Sequence, residues 1–87
     1  MGPEARVESR CCALARQAGG LAIKLSSIAG LPDRFFVLEN WMFVAEFKSR
    51  TGRLRRRQST VRRKIESLGH TVYVIRTVAE FRELTGL

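Results

Sequence analysis

Asp33, Glu46 and Lys48 are the residues of this 87-residue sequence whose types and spacing best suit chemistry. They lie within residues 30–48, where the apolar run Phe35-Phe36-Val37-Leu38 and the run Trp41-Met42-Phe43-Val44-Ala45 flank Glu39-Asn40. Two aromatic and β-branched runs around a short polar break predict a β-hairpin. With Glu39 and Asn40 as the loop, Leu38 faces Trp41 and Asp33 falls opposite Glu46. Directly opposed residues share a face of the sheet, with Cβ atoms roughly 4.5–5.5 Å apart. An odd-length loop would slip the register and separate the two acids.

Opposed like charges destabilise a strand pair, so the pattern calls for a compensating cation. Mg²⁺ or Mn²⁺ suits it, because hard divalent ions take carboxylate oxygens and leave positions for water and phosphate. Strand alternation points Glu46 and Lys48 to one side while Phe47 packs behind them, its backbone carbonyl lying between the two. A cation there would find Asp33 and Glu46 on one face, with the Phe47 carbonyl available as a further metal ligand. The plainer reading is an ordinary hairpin with charged, solvated ends, and spacing alone does not decide between the two.

Charge is the second signal. The net charge is +8. Residues 50–64 hold Arg50, Arg53, Arg55, Arg56, Arg57, Arg62, Arg63 and Lys64 without one acid, whereas the other residues balance eight basic against eight acidic groups. One segment thus carries the whole excess, which marks a surface for a polyanion, nucleic acid before others. A helix made basic only for solubility would mix signs.

These residues need elements to position them. Val7, Cys11, Leu14, Ala15 and Ala18 recur at helical spacing over residues 4–18, and Gly19-Gly20 ends the run. Cys11 is expected to pack; the adjacent Cys11 and Cys12 lack partners for a zinc knuckle and read as reduced thiols. Glu8 projects at the edge of this apolar face and Glu4 lies one turn earlier; periodicity does not choose between them as an acid aimed at the site. Residues 21–25 alternate as a strand with Lys24 on its polar side, and residues 26–30 form a loop. In the hairpin, Phe35, Val37, Met42 and Val44 share one face and Phe36, Leu38, Trp41 and Phe43 the other. A sheet apolar on both faces calls for cover on both.

A helix is predicted over residues 54–68, with Leu54, Val61, Ile65 and Leu68 as its buried stripe and Gly69 as its stop. Gln58 falls inside that stripe, so its amide is either satisfied in the core or turned to the site. The β-branched run 71–75 is the next strand, expected parallel to the one bearing Glu46. Thr77 and Glu80 fit a capping box that opens a short last helix. The order is αβββαβα, an α/β architecture in one domain spanning residues 1–87. No apolar run is long enough to span a membrane, and charges at Glu4, Arg6, Glu8 and Arg10 break any signal-peptide core. The expected location is the cytoplasm of a bacterial or phage-infected host cell.

Gly30-Leu31-Pro32-Asp33-Arg34, Phe43-Val44-Ala45-Glu46-Phe47-Lys48, Gly52, Gln58 and Gly69 together resemble the virus-type replication-repair nuclease (VRR-NUC) domain of the PD-(D/E)xK superfamily. The resemblance runs over about residues 4–80 and is to the small stand-alone phage-type members. It implies the restriction-endonuclease-like αβββαβ core, a mixed sheet flanked by helices, with a short C-terminal helix added. It also implies that Asp33 and Glu46 hold the metal and that Lys48 positions the attacking water or offsets developing charge. Gln58 matches the glutamine opening the following helix, and Val7-Glu8 matches the helix whose acid assists the metal. One departure is Arg55, which stands where a helix-capping serine is common.

The reading that follows is a Mg²⁺- or Mn²⁺-dependent DNA endonuclease, acting as a homodimer on branched DNA and resolving four-way (Holliday) junctions. Lys24, Arg34, Arg53, Arg55, Arg56, Arg62 and Arg63 are the expected backbone contacts. Trp41 and the stripe Val78, Phe81, Leu84 and Leu87 look like more apolar surface than one small core covers, which favours a dimer. Two rival readings are a non-catalytic basic DNA-binding module, and an inhibitor or assembly protein that binds an acidic partner.

Overall fold

The computed structural model describes residues 2–25 and 28–87. The chain runs α1 (Pro3–Gln17), β1 (Leu21–Lys24), β2 (Arg34–Leu38), β3 (Trp41–Phe47), α2 (Arg56–Ser67), β4 (Val72–Ile75) and α3 (Val78–Thr85). This is the αβββαβα order expected from the sequence. Of the loop expected over residues 26–30, Ser26 and Ser27 lie outside the described residues.

The four strands form one mixed sheet in the order β1-β2-β3-β4. The first three are antiparallel neighbours, and β4 lies parallel to β3. Leu38 pairs with Trp41 and Arg34 with Ala45, the two-residue-loop register. Asn40 takes φ 61° at the turn, a left-handed conformation that asparagine tolerates better than most residues.

One face of the sheet carries the core. Phe36, Phe43, Ala45 and Phe47 point to it and pack with Cys11, Cys12 and Ala15 of α1 and with Phe81 of α3. The Phe36 ring stacks on Phe43 at 5.1 Å and meets Phe81 at 5.1 Å. Cys12 is buried along with Cys11, because α1 packs on the sheet and also against α3 and so loses solvent on more than one stripe. Phe81 is fully buried, and Val78, Leu84 and Leu87 pack against the same cluster. The stripe that looked like dimer surface in the sequence therefore belongs to the monomer core. Trp41 stacks on Phe43 at 4.5 Å and meets Tyr73 edge-on, although it keeps 37% of its surface exposed.

The other face is not covered as the hairpin pattern suggested. α2 rests mainly against β4, and none of its residues is buried. Its helix starts at Arg56, two residues later than expected, so Leu54 lies outside it, and Leu68 is 64% exposed. Leu21, Ile23 and Met42 stand 55%, 43% and 61% exposed on the sheet beside it.

Both long helices end in Schellman turns. Gly20 N–H donates to Ala15 O and Gly19 N–H to Arg16 O, and the His70 and Gly69 amides repeat the pattern on Ile65 and Glu66. Gly19 and Gly69 take φ 84° and 91°, which favours glycine. Gly20 is required for space instead: a Cβ there would sit 2.5 Å from the Val37 carbonyl oxygen and 3.1 Å from that of Ala15. The close approach lets α1 turn directly into the sheet. Gly20→Ala should therefore cost about 1–3 kcal/mol of unfolding free energy by overpacking against backbone, measured by urea denaturation; Gly2→Ala, with nothing near its Cβ position, should cost far less.

Candidate active site

The site forms where the β2–β3 ladder ends. One step beyond the Arg34–Ala45 pair, the Phe47 N–H donates to Asp33 Oδ2 at 2.8 Å. The Asp33 carboxylate thus continues the ladder with its side chain and is held at the edge of the sheet. Glu46, only 2% exposed, points away from the aromatic core, toward the α2 side. Lys48 approaches the same carboxylate, Nζ lying 3.3 Å from Glu46 Oε2. Lys48 N–H donates to Ile75 O at 3.1 Å, so this residue is fixed as an extension of the parallel β3–β4 pair.

Gln58 answers the question its position raised. Its Oε1 accepts the Arg55 N–H at 2.9 Å, and its Nε2 donates to Glu46 Oε2. Arg55 sits at the N-cap with a side chain that has no acceptor to offer. Gln58 therefore satisfies the helix start and the site together. Accepting at one end forces the amide to present its donor end to Glu46, so the helix start dictates how the carboxylate is held.

Glu46 Oε1 is buried and has no hydrogen-bond partner. An unsatisfied buried carboxylate oxygen is costly, and its surroundings define what would satisfy it. Burial, then the charge of the neighbouring Asp33, push the Glu46 carboxyl up to about 7, while Lys48 pulls the other way. A divalent cation would replace the proton, answer the orphaned oxygen and offset the repulsion between the acids. The donor set of Asp33 and Glu46 with the Phe47 carbonyl fits a hard, partly hydrated ion that leaves room for phosphate. Among the described residues no third acid, histidine or cysteine joins them.

Glu8 does not join them either. Of the two candidate acids, Glu4 is exposed and Glu8 is the one turned to the sheet. Its Oε2 lies 2.6 Å from Arg34 Nε and 3.1 Å from Lys24 Nζ. Adjacent strand residues face opposite ways, so Arg34 points to the α1 side while Asp33 points to the other. The sheet thus separates Glu8 from Glu46, and in this structure Glu8 is an ion-pair partner of Arg34 and Lys24 rather than part of the carboxylate pair. Arg34 and Lys24 accordingly lie across the sheet from α2. Arg53, Arg55, Arg56, Arg57 and Arg63 are exposed, with Arg62 partly engaged by Glu66 at 3.4 Å.

Arg76 is the site-edge residue that sequence reasoning missed. Its Nη1 donates to Ser49 O at 2.7 Å and Gly52 O at 2.5 Å, clamping the loop that leads from Lys48 to α2. Nothing in its sequence context sets it apart except its place directly after a strand.

The raised Glu46 pKa has a stability consequence. The folded protein holds this proton more tightly than the unfolded chain, whose carboxyl titrates near 4.5. Its contribution is therefore present in acid and fades as pH rises from about 4.5 through about 7. For the metal-free protein the loss across that window should approach about 3 kcal/mol. Glu46→Gln should flatten this part of the pH profile, as read from urea denaturation between about pH 4.5 and 8; an unchanged profile would place the titration elsewhere.

No family model and no curated protein matches the chain. A solved structure titled "VRR_NUC domain" superposes on it with a TM-score of 0.84, covering 99% of this chain and 97% of that one at 21% identity. The mixed sheet, the flanking helices and the position of the acid pair at the end of the hairpin are all within the superposed length. The chain has the fold of a VRR_NUC domain.

Proposed function

We propose that the protein is a metal-dependent DNA endonuclease that hydrolyses phosphodiester bonds at the Asp33–Glu46 pair. The observation that carries this reading is Glu46: buried, crowded by a second acid, bonded by Gln58 and Lys48 through one oxygen and orphaned at the other. A carboxylate kept for structure alone would not leave that oxygen bare. Asp33, Glu46 and the Phe47 carbonyl would hold Mg²⁺ or Mn²⁺. When bound, such an ion polarises a phosphate and lowers the pKa of its water.

The chain's own groups supply the rest. Gln58 fixes Glu46 Oε2, which leaves Oε1 as the free ligand atom. Lys48, 13% exposed and held by its backbone bond to β4, places an ammonium where charge builds on phosphate oxygens. The exposed arginines of α2 and its N-terminal approach grip flanking phosphates, and Arg76 holds the loop that sets α2 beside Lys48. The non-catalytic DNA-binding alternative accounts for the basic helix but leaves the pairing of buried Glu46 with Asp33 without a purpose.

We further propose that the working form is a homodimer acting on branched DNA, four-way junctions above all. One site cuts one strand, and a two-fold dimer supplies two sites with the symmetry of a junction. Support comes from the uncovered sheet face of Leu21, Ile23 and Met42 beside α2, in place of the last helix, which the core consumes.

Purified protein incubated with duplex, flap and four-way junction DNA, with and without Mg²⁺, tests the reading. Asp33→Ala, Glu46→Ala and Lys48→Ala should each lower cleavage by at least about 100-fold with DNA binding retained. Undiminished cleavage by Glu46→Ala would remove the metal-site assignment. A junction cut no faster than linear duplex would leave a general nuclease, and a monomer mass in light scattering at micromolar concentration would refute the dimer. Replacing two of Arg55, Arg56, Arg62 and Arg63 should flatten the log–log salt dependence of binding by up to about two units.

A further inference from the structure

We propose that Arg16, Lys24 and Arg34 form a second phosphate site, which takes a backbone phosphate of nucleic acid on the face of the sheet opposite α2. The inference rests on the nucleic-acid reading above but involves none of the residues assigned there to the metal.

Three cations converge here on too little negative charge. Arg34 Nη1 and Arg16 Nη2 both donate to a single carbonyl oxygen, that of Ala22, at 3.2 and 3.4 Å. Arg34 Nε and Lys24 Nζ both approach a single carboxylate oxygen of Glu8. Glu8 balances one charge of three, so the cluster keeps an excess of two. Like charges gathered this closely repel one another, and an added anion would remove that cost.

The cluster also has room and unused donors. Arg16, Lys24 and Arg34 line a surface cavity of about 260 Å³, with Glu8 on its wall and the buried Cys12 beneath. Arg34 retains Nη2, Lys24 retains two of its ammonium protons, and Arg16 retains most of its fork. A tetrahedral oxyanion accepts from several such donors at once, and guanidinium forks match phosphate in geometry. Glu8 acts as the frame: its Oε2 holds Arg34 and Lys24 toward the cavity, while Arg34 is only 18% exposed and so loses little freedom on binding.

Position gives the site its partner. Lys24 pairs with Arg34 in the β1–β2 register, and Arg34 directly follows Asp33. The cluster therefore stands at the same end of the sheet as the acid pair, on the opposite face from the α2 arginines. A nucleic acid laid across that end meets cations on both sides of Asp33 and Glu46. A single basic helix would hold it on one side only.

Arg16 is exposed and Lys24 is 48% exposed, so Arg16→Gln with Lys24→Gln removes two cations from the surface without opening the core. Two measurements decide, both without divalent metal so that cleavage plays no part. In the first, inorganic phosphate is titrated and amide resonances are followed by NMR. Cys12 and Ala22 should shift in the parent protein and stay still in the double variant. Shifts that persist in the variant, or fail to occur in the parent, would overturn the site. In the second, the salt dependence of duplex and junction binding is compared with that of an Arg62→Gln, Arg63→Gln variant. The slope should flatten by about one unit in the Arg16, Lys24 variant. A slope flattened only by the α2 variant would overturn the second site and leave the nucleic-acid reading standing. No change in either variant would overturn both. Phosphate shifts lost in the variant together with an unchanged DNA slope would identify a site for free phosphate, overturning the nucleic-acid assignment.

Discussion

The burial of Glu46 against Asp33 is the constraint around which the rest of the protein is arranged. A carboxylate with 2% of its surface exposed, beside another acid, cannot persist without help from several elements. Here the residue directly after β3 is Lys48, α2 supplies Gln58, and the Phe47 N–H fixes the neighbouring Asp33. Each supporting group is itself tied down: Lys48 by its backbone bond to Ile75, Gln58 by the helix start at Arg55, and the intervening loop by Arg76. The site is assembled from positions that secondary structure already fixes. This is how groups that repel one another can be held at a stable spacing.

The division of the sheet into two unlike faces follows from the same arrangement. The face toward α1 and α3 carries nearly all of the dense packing, with Phe43, Phe47 and Phe81, two cysteines and two alanines closing around Phe36. The face toward α2 keeps the acids and remains open over β1 and β2. A helix bearing so many arginines has too narrow an apolar stripe to seal a sheet, and Val61 and Ile65 are only half-buried in consequence. Gly30 shows how close the fit is where α2 does make contact, since a Cβ there would meet Arg57 and Val61 side chains at 2.6 and 2.9 Å.

Charge is distributed by face as well. The α2 arginines are mostly exposed, and among the described residues only Arg62 is ion-paired, with Glu66. Across the sheet, Arg34 and Lys24 are drawn together by Glu8 and held in place. The two sets differ in freedom: the exposed arginines keep their rotamers, whereas Arg34 is held by Glu8 and the Ala22 carbonyl.

The sequence by itself determined the order of elements, the hairpin register and therefore the meeting of Asp33, Glu46 and Lys48. These are local properties: a two-residue loop, a period of two along a strand, and glycine at positions that need a left-handed turn or a close approach. Gln58 was legible as an anomaly, a polar residue in an apolar stripe, but whether it served the core or the site was not. The tertiary structure decided that, because only the placement of α2 beside β3 brings the amide to Glu46 while the helix start fixes which end it presents. Glu8 shows the reverse. A helical wheel gives the side of a helix a residue occupies, not which face of the sheet that side will meet, and the packing of α1 on the Phe36 face gave this acid to Arg34 and Lys24. The last helix was misread as surplus for a similar reason. Its apolar stripe is real, but how much of it a core can absorb depends on the volume left beneath Phe36 and Phe43, which no single segment encodes. Arg76 was invisible, since two carbonyl oxygens more than twenty residues away in the chain become its partners only once β4 lies parallel to β3.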